Sequence, residues 1–194
     1  MGKRIALFLG HPDSDSFCGS LARIYVRAAE KNGAEVRYTE LGALKFDPVL
    51  HRGYKVAQEL EHDLQAARRD ILWAGHLVFV YPLWWGAMPA LLKGFVDRVF
   101  TPGFGFQFES ERSYIWRRLL HGRSARLIVT MDGPPLLIRL LYQNPGIHMM
   151  RDMTLEFCGV SPVGVTLLGS VKRATRARRL LWKMDVEDLG RAGR

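Results

Sequence analysis

The 194-residue sequence predicts an α/β fold: a doubly wound five-stranded parallel sheet of order 2-1-3-4-5, in three α/β/α layers. Two unbroken apolar runs, Ile5–Leu9 and Leu77–Val80, have the character of strands buried on both faces. Strand-like runs alternate with amphipathic helical patterns along the chain, which implies parallel strands joined by right-handed crossovers. Residues 79–100 hold one such unit intact. An apolar run closes on Tyr81-Pro82, a loop follows with adjacent Trp84 and Trp85, and Pro89 opens a helical pattern.

Taken in order, Ile5–Leu9 is the first, central strand. Asp15 or Ser16 can cap the helix after it, whose apolar positions are Phe17, Leu21, Ile24, Tyr25 and Ala28. Asn32-Gly33 ends that helix. Glu35–Leu41 alternates as an edge strand, and Phe46-Asp47-Pro48 marks a turn. Tyr54–Ala67 reads as a charged amphipathic helix, with Glu59, Glu61 and Asp63 on its solvated side. Leu77–Tyr81 is the third strand. Pro89–Phe100 is the next helix, with Leu91, Leu92, Phe95, Val96 and Val99 on its apolar face. After a Thr101–Phe106 loop, Arg126–Thr130 is the fourth strand, residues 146–158 read as helical, and Val163–Leu168 is the fifth strand. A basic helix closes the chain, carrying Lys172, Arg173, Arg176, Arg178, Arg179 and Lys183, with Leu180, Leu181 and Met184 as its apolar stripe. No repeat or linker divides residues 1–194, so one domain is expected.

The bulk numbers narrow the function classes. A hydrophobic fraction of 48% with 24% charged residues is that of an ordinary globular protein, and no apolar run reaches membrane-span length. The N-terminus runs straight into a strand pattern without a signal-peptide core. Cys18 and Cys158 have no pairing or metal-ligand spacing, so both are expected as free thiols in the cytoplasm. The net charge of +9 would suit nucleic acid, an anionic surface or an anionic cofactor. No zinc finger, helix-turn-helix or single-strand-binding pattern supports nucleic acid. His51, His62, His76 and His121 are scattered, so no metal site is expected, and no Gly-x-Ser-x-Gly elbow marks a hydrolase.

In a sheet of this order, ligands bind at the carboxyl ends of the strands, where strands one and three diverge. Trp is costly to leave in water, so the Trp84–Trp85 pair either covers a flat ligand or packs on the next helix. The first loop, Gly10-His11-Pro12-Asp13-Ser14-Asp15-Ser16-Phe17-Cys18, is neither a Gly-x-Gly-x-x-Gly nor a Walker motif. It still leads into a helix start, where N–H groups and the dipole attract anions. Ser16 can donate a hydroxyl and His11 an imidazole N–H, while Asp13 and Asp15 oppose an anion unless turned to solvent. On the residues alone, Ser16 and Asp15 read as helix caps. Cys18 sits where a thiol pKa can fall, although a buried small residue is its simpler role.

The run Pro82-Leu83-Trp84-Trp85-Gly86-Ala87-Met88-Pro89-Ala90-Leu91-Leu92-Lys93-Gly94, continued by Asp97-Arg98-Val99-Phe100 and Gly103-Phe104-Gly105-Phe106, resembles the central block of the flavodoxin-like NAD(P)H:quinone oxidoreductases. That family includes small reductases that partner potassium-efflux systems. The resemblance implies a flavodoxin-like fold, a bound flavin (FAD or FMN) and NAD(P)H as co-substrate. It implies that Pro82, Leu83, Trp84, Trp85 and Gly86 wrap the isoalloxazine, with backbone amides toward N5 and O4. His11, Ser16, Phe17 and Cys18 match the family's His-x(4)-Ser-Phe-Asn/Cys pattern and are implied holders of the flavin phosphate.

Thr130-Met131-Asp132-Gly133 stands where the family usually has Thr-Thr-Gly-Gly, on the N1/O2 side of the flavin. Met131 and Asp132 are departures. A carboxylate there would oppose the charge that builds on reduced flavin, unless it points away. Tyr142-Gln143-Asn144-Pro145-Gly146-Ile147-His148 is similar to the mammalian-type reductases, which implies Tyr142 and His148 as the catalytic pair. A phenol and an imidazole can donate hydrogen bonds or a proton to charge developing at N1/O2. The apolar stretch 134–141 replaces a shorter Gly/Ser-rich link, to reshape the pocket roof or meet a second subunit.

The expected activity is hydride transfer from NAD(P)H through flavin N5 to a quinone or similar acceptor, in a homodimer with Trp84, Trp85, Phe104 and Phe106 about the site. The alternative is a flavin-binding accessory subunit peripherally associated with a membrane transporter, its basic C-terminal helix meeting an acidic partner or anionic lipid. A one-electron flavodoxin carrier fits less well, because such carriers are generally acidic.

Overall fold

A computed structural model describes residues 2–110 and 112–194. Its elements are β1 (Arg4–Leu9), α1 (Phe17–Lys31), β2 (Glu35–Glu40), α2 (His62–Trp73), β3 (His76–Pro82), α3 (Ala90–Val99), β4 (Phe106–Phe108), β5 (Trp116–Arg118), β6 (Ser124–Thr130), α4 (Pro135–Tyr142), α5 (Pro145–Met150), β7 (Val163–Leu168) and α6 (Arg176–Ala192). The main sheet is parallel throughout, in the order β2-β1-β3-β6-β7. With the small β4–β5 hairpin set aside, this is the 2-1-3-4-5 order expected of a flavodoxin-like fold.

β1 and β3 are buried along almost their whole length, which explains their unbroken apolar sequence. On one sheet face Phe8 stacks on Phe79 with centroids 5.2 Å apart and meets Phe95 of α3 at 5.4 Å. Leu64 and Ile71 of α2 and Ile147 and Met150 of α5 complete that layer. On the other face, Leu7 and Val78 pack with Leu21 and Tyr25 of α1 and Trp182 and Val186 of α6.

Two sequence expectations need correction. The helix expected at Tyr54–Ala67 is α2, eight residues later, preceded only by a single turn at Gly53–Lys55. Buried Arg98 explains the shift. Its guanidinium donates to the carbonyls of Asp47 and Glu59 and to the Glu61 carboxylate, and so holds the preceding segment against α3. Glu61 is therefore not on a solvated helix side. α6 is also rotated from its apparent stripe: Trp182, Val186 and Gly190 are buried, whereas Leu180, Leu181 and Met184 are exposed. Gly190 selects this side, because a Cβ there would lie 2.5 Å from the Tyr25 carbonyl oxygen. The 134–141 stretch, to which the sequence assigned no element, is helical, as α4, with Pro135 in its first turn.

Candidate functional site

The loops after β1, β3 and β6 converge at the carboxyl edge of the sheet. The Gly10 N–H donates to the Val80 carbonyl at 2.8 Å. A Cβ on Gly10 would approach Leu92 to 2.9 Å and Tyr81 to 3.0 Å, so the first loop lies tight against β3 and α3. Ser16 caps α1, its Oγ accepting from the Gly19 N–H at 3.2 Å. That bond uses a lone pair and leaves the hydroxyl hydrogen for another acceptor. His11 Nδ1 accepts from the Asp13 N–H at 3.0 Å, which leaves Nε2–H as its outward donor. Asp13 and Asp15 are exposed, and Asp13 is occupied by the Asp15 N–H at 2.8 Å. The charge objection to an anion at this loop is thereby reduced.

The second loop is anchored by the Leu83 N–H, which donates to the Thr130 carbonyl at 2.7 Å. Trp84 and Ala87 exchange two backbone bonds of 2.9 and 3.0 Å. Between them Trp85 and Gly86 both have positive φ, 53° and 76°, the signature of a type I′ turn. Among the described residues, neither the Trp85 nor the Gly86 amide has a backbone partner. The Trp85 side chain is fully exposed and Trp84 nearly half so. Packing on the next helix is therefore excluded for Trp85. Trp84 meets the His11 ring edge-on at 5.5 Å, which brings the first two loops together.

The third loop is tied to the first through Cys18 Sγ and Thr130 Oγ1, 3.2 Å apart. Burial pushes the Cys18 thiol up to about 11, with the Thr130 bond acting in the opposite direction. Cys18 is thus a packed, protonated thiol and not a reactive one. Met131 is buried, its N–H on the Leu168 carbonyl. Asp132 Oδ1 accepts from the Lys172 N–H at 3.0 Å, so its carboxylate is engaged with the turn before α6. That contact gives the departure at Asp132 a structural role.

Gln143 and Asn144 are both left-handed and form the sharp link from α4 to α5. Gly146 then lies directly under the tryptophan turn: a Cβ there would be 2.5 Å from the Gly86 carbonyl oxygen and 2.7 Å from Leu83. α5 thus docks on the same loop and carries His148 close beyond it. His148 Nδ1 pairs with Asp152 Oδ2 at 2.5 Å. Asp152 is also held by Arg151, and these hydrogen bonds, Arg151's the largest, bring its carboxyl down to about 2. Sequence reading missed Asp152, although the His148-to-Asp152 spacing of four on a helix is the signal that could have found it. Tyr142 is 63% exposed at the end of α4, and no hydrogen bond joins it to His148 among the described residues.

Two surface pockets lie elsewhere. One of about 290 Å³ sits beneath residues 53–60 beside Arg68 and Arg98. Another of about 300 Å³ runs between α3 and Met149, Met153 and Phe157. The three converging loops form an open ledge. Among the described residues, no group of three or more His, Cys, Asp or Glu could hold a metal ion.

Fold and ledge together define a flavodoxin-like α/β protein with a candidate ligand site at its topological switch point. Residues 3–184 match the family of that flavodoxin-like fold. The ribosyldihydronicotinamide dehydrogenase-like protein traD of Penicillium crustosum is 30% identical over 154 residues, 67% of this chain and 58% of the fungal protein. NAD(P)H dehydrogenase (quinone) 1 of Cavia porcellus is 27% identical over 220 residues, covering 96% of this chain and 77% of that one. The crystal structure of Smu.1420 from Streptococcus mutans UA159 superposes with a TM-score of 0.84 at 28% identity, over 97% of this chain and 98% of the other. The chain belongs to the flavodoxin-like NAD(P)H:quinone oxidoreductase family. It is accordingly an oxidoreductase.

Proposed function

We propose that this protein is a flavin-dependent NAD(P)H:quinone oxidoreductase that passes two electrons, as hydride, from NAD(P)H to a quinone-like acceptor. The observation that carries the reading is the Trp84–Ala87 turn. Among the described residues it presents two amides without backbone partners beside an uncovered indole, on a loop whose Trp84 meets His11 of the loop that leads into the Ser16-capped helix. Those donors suit a planar ring with a hydrogen-bonding edge and a phosphate tail.

In this reading His11, Ser16 and the first-turn amides of Phe17 and Cys18 hold the phosphate. Pro82, Leu83, Trp84, Trp85 and Gly86 meet one edge of the ring, and Thr130, Met131 and Gly133 the other. Asp132 supports that third loop through its bond to the Lys172 N–H. A bound flavin, FAD or FMN, would supply two-electron hydride chemistry at this ledge. The chain's own residues orient and protonate. Asp152 fixes His148 through Nδ1, so Nε2 is the nitrogen left to face substrate. Tyr142, exposed at the end of α4, supplies a phenolic O–H at the rim. We propose the working form as a cytoplasmic homodimer, the second subunit closing the open ledge.

The test begins with the absorption spectrum of purified protein, release of any chromophore and its mass. A protein that is colourless and refuses both FMN and FAD on titration refutes the reading. With flavin bound, His148→Ala is expected to slow reduction by NAD(P)H by about 10²-fold. An unchanged reductive half-reaction removes His148 from the mechanism.

A further inference from the structure

Two apolar helix sides are used neither by the core nor by the ledge. α4 buries none of its residues, and Leu136, Leu137, Leu140 and Leu141 are 67, 49, 71 and 63% exposed. Their spacing of i, i+1, i+4 and i+5 puts them on one side of the helix. Pro135 and Ile138 hold the other side down: a Cβ on Gly169 would meet the Pro135 ring, and one on Gly133 would meet Ile138. α6 repeats the arrangement. Leu180, Leu181 and Met184 are each more than half exposed, opposite buried Trp182 and Val186. Exposed apolar helix sides of this kind mark an interaction site.

The groups framing these leucines are basic. Arg139 lies on α4, Lys172 and Arg173 on the turn before α6, and Arg176 and Arg178 at its start, all exposed. None of the five forms an ion pair among the described residues. The turn is fastened to the base of α4, with Ser170 N–H on the Gly133 carbonyl and Lys172 N–H on Asp132 Oδ1. Acidic residues near this face include Asp13, Asp15 and Asp132, and on α6 the exposed Asp185 follows Met184. Asp13 and Asp132 already accept backbone N–H groups.

We infer that α4 and the first half of α6 form a docking surface for an anionic lipid bilayer. The leucines enter the boundary between headgroups and acyl chains, and the arginines and lysines lie at the lipid phosphates. The attachment is peripheral, since no described helix is long and apolar enough to cross a membrane. Charge favours lipid over a second copy of the chain. A two-fold pairing through this face would set one basic group against its twin, whereas anionic headgroups neutralise all five. α4 springs from the loop that carries Thr130 and Met131, so a docked molecule holds the ledge close to the headgroups.

The test is co-sedimentation of the full chain with vesicles of phosphatidylcholine alone and of phosphatidylcholine mixed with phosphatidylglycerol. Binding to the anionic vesicles is expected to be at least about tenfold stronger, and to weaken with salt as the screening length shrinks. Leu140→Glu/Leu141→Glu and Arg173→Glu/Arg176→Glu should each reduce it by about tenfold or more. Leu181→Glu, on the separate helix, provides an independent check should the α4 variant misfold. Wild-type protein that stays in the supernatant at low salt overturns the proposal. So does binding indifferent to the charge reversals. If Leu140→Glu/Leu141→Glu splits a dimer in light scattering while lipid binding is absent, the face belongs to a second copy and the proposal fails.

Discussion

Replacing Arg98 by Met should be the most damaging single surface-sparing change outside the sheet core. Arg98 is only 1% exposed. One terminal nitrogen donates to the Asp47 carbonyl and to Glu61 Oε1 at 3.2 Å. The other donates to the Glu59 carbonyl at 2.7 Å and to Glu61 Oε2 at 2.9 Å. Met keeps the apolar stem and removes every donor. Two carbonyls and a carboxylate then lose their donor, although the segment that carries them is itself partly exposed. Breaking a buried ion pair from one side typically costs about 3–5 kcal/mol. Glu61 retains some solvent and also accepts from the Asp47 N–H at 3.0 Å, which argues for the lower end, about 3 kcal/mol. For a chain of this size that corresponds to a Tm drop of roughly 6–12 °C.

The assay is equilibrium unfolding in urea followed by circular dichroism, on wild type, Arg98→Met, Glu61→Gln and the double variant. The two changes should be coupled, with the double variant less destabilised than the sum by at least about 1 kcal/mol. Amide exchange should quicken first in residues 44–61. A loss below about 0.5 kcal/mol, or strict additivity with Glu61→Gln, would refute the claim that Arg98 holds this segment in place.

Other outcomes follow from the same geometry. His76 is buried with Nδ1 on Ser124 Oγ at 2.8 Å, and burial, aided by the Lys3 and Arg126 charges, lowers it to about 3. Between that value and the unfolded histidine near 6.5, only the unfolded chain takes the proton, so stability falls as pH drops through this window. The slope should approach about 1.4 kcal/mol per pH unit, and His76→Gln should flatten it; equal acid limbs would exclude His76. Trp85→Ala should leave stability within about 0.5 kcal/mol, because the ring packs on nothing, yet weaken flavin binding about tenfold by fluorescence titration. An unchanged Kd would take Trp85 out of the site. Asp152→Asn should slow hydride transfer about tenfold and alter the His148 imidazole NMR signature while flavin stays bound. Wild-type kinetics would show that Asp152 does not orient His148.

The sequence by itself determined the strand order and the edge that carries the candidate site. β1 and β3 are apolar on both faces, so only central positions in a parallel sheet satisfy them, and the loops that follow them must meet at one end. The Trp84-Trp85-Gly86 loop was legible for the same reason: its composition is too apolar for solvent and too short for a core element. What the tertiary structure decided concerns partners distant in sequence. Tyr54–Glu61 carries helical periodicity, but local preference is weak beside the bonds that Arg98 makes to Asp47, Glu59 and Glu61. α6 has two apolar stripes, and Gly190 against the Tyr25 backbone selects which one is buried. The direction of Asp132 depends on the Lys172 N–H, forty residues away, and no periodicity reports such a bond. Periodic burial is written locally, whereas the aim of a single polar side chain is set by whichever donor the fold brings within about 3 Å of it.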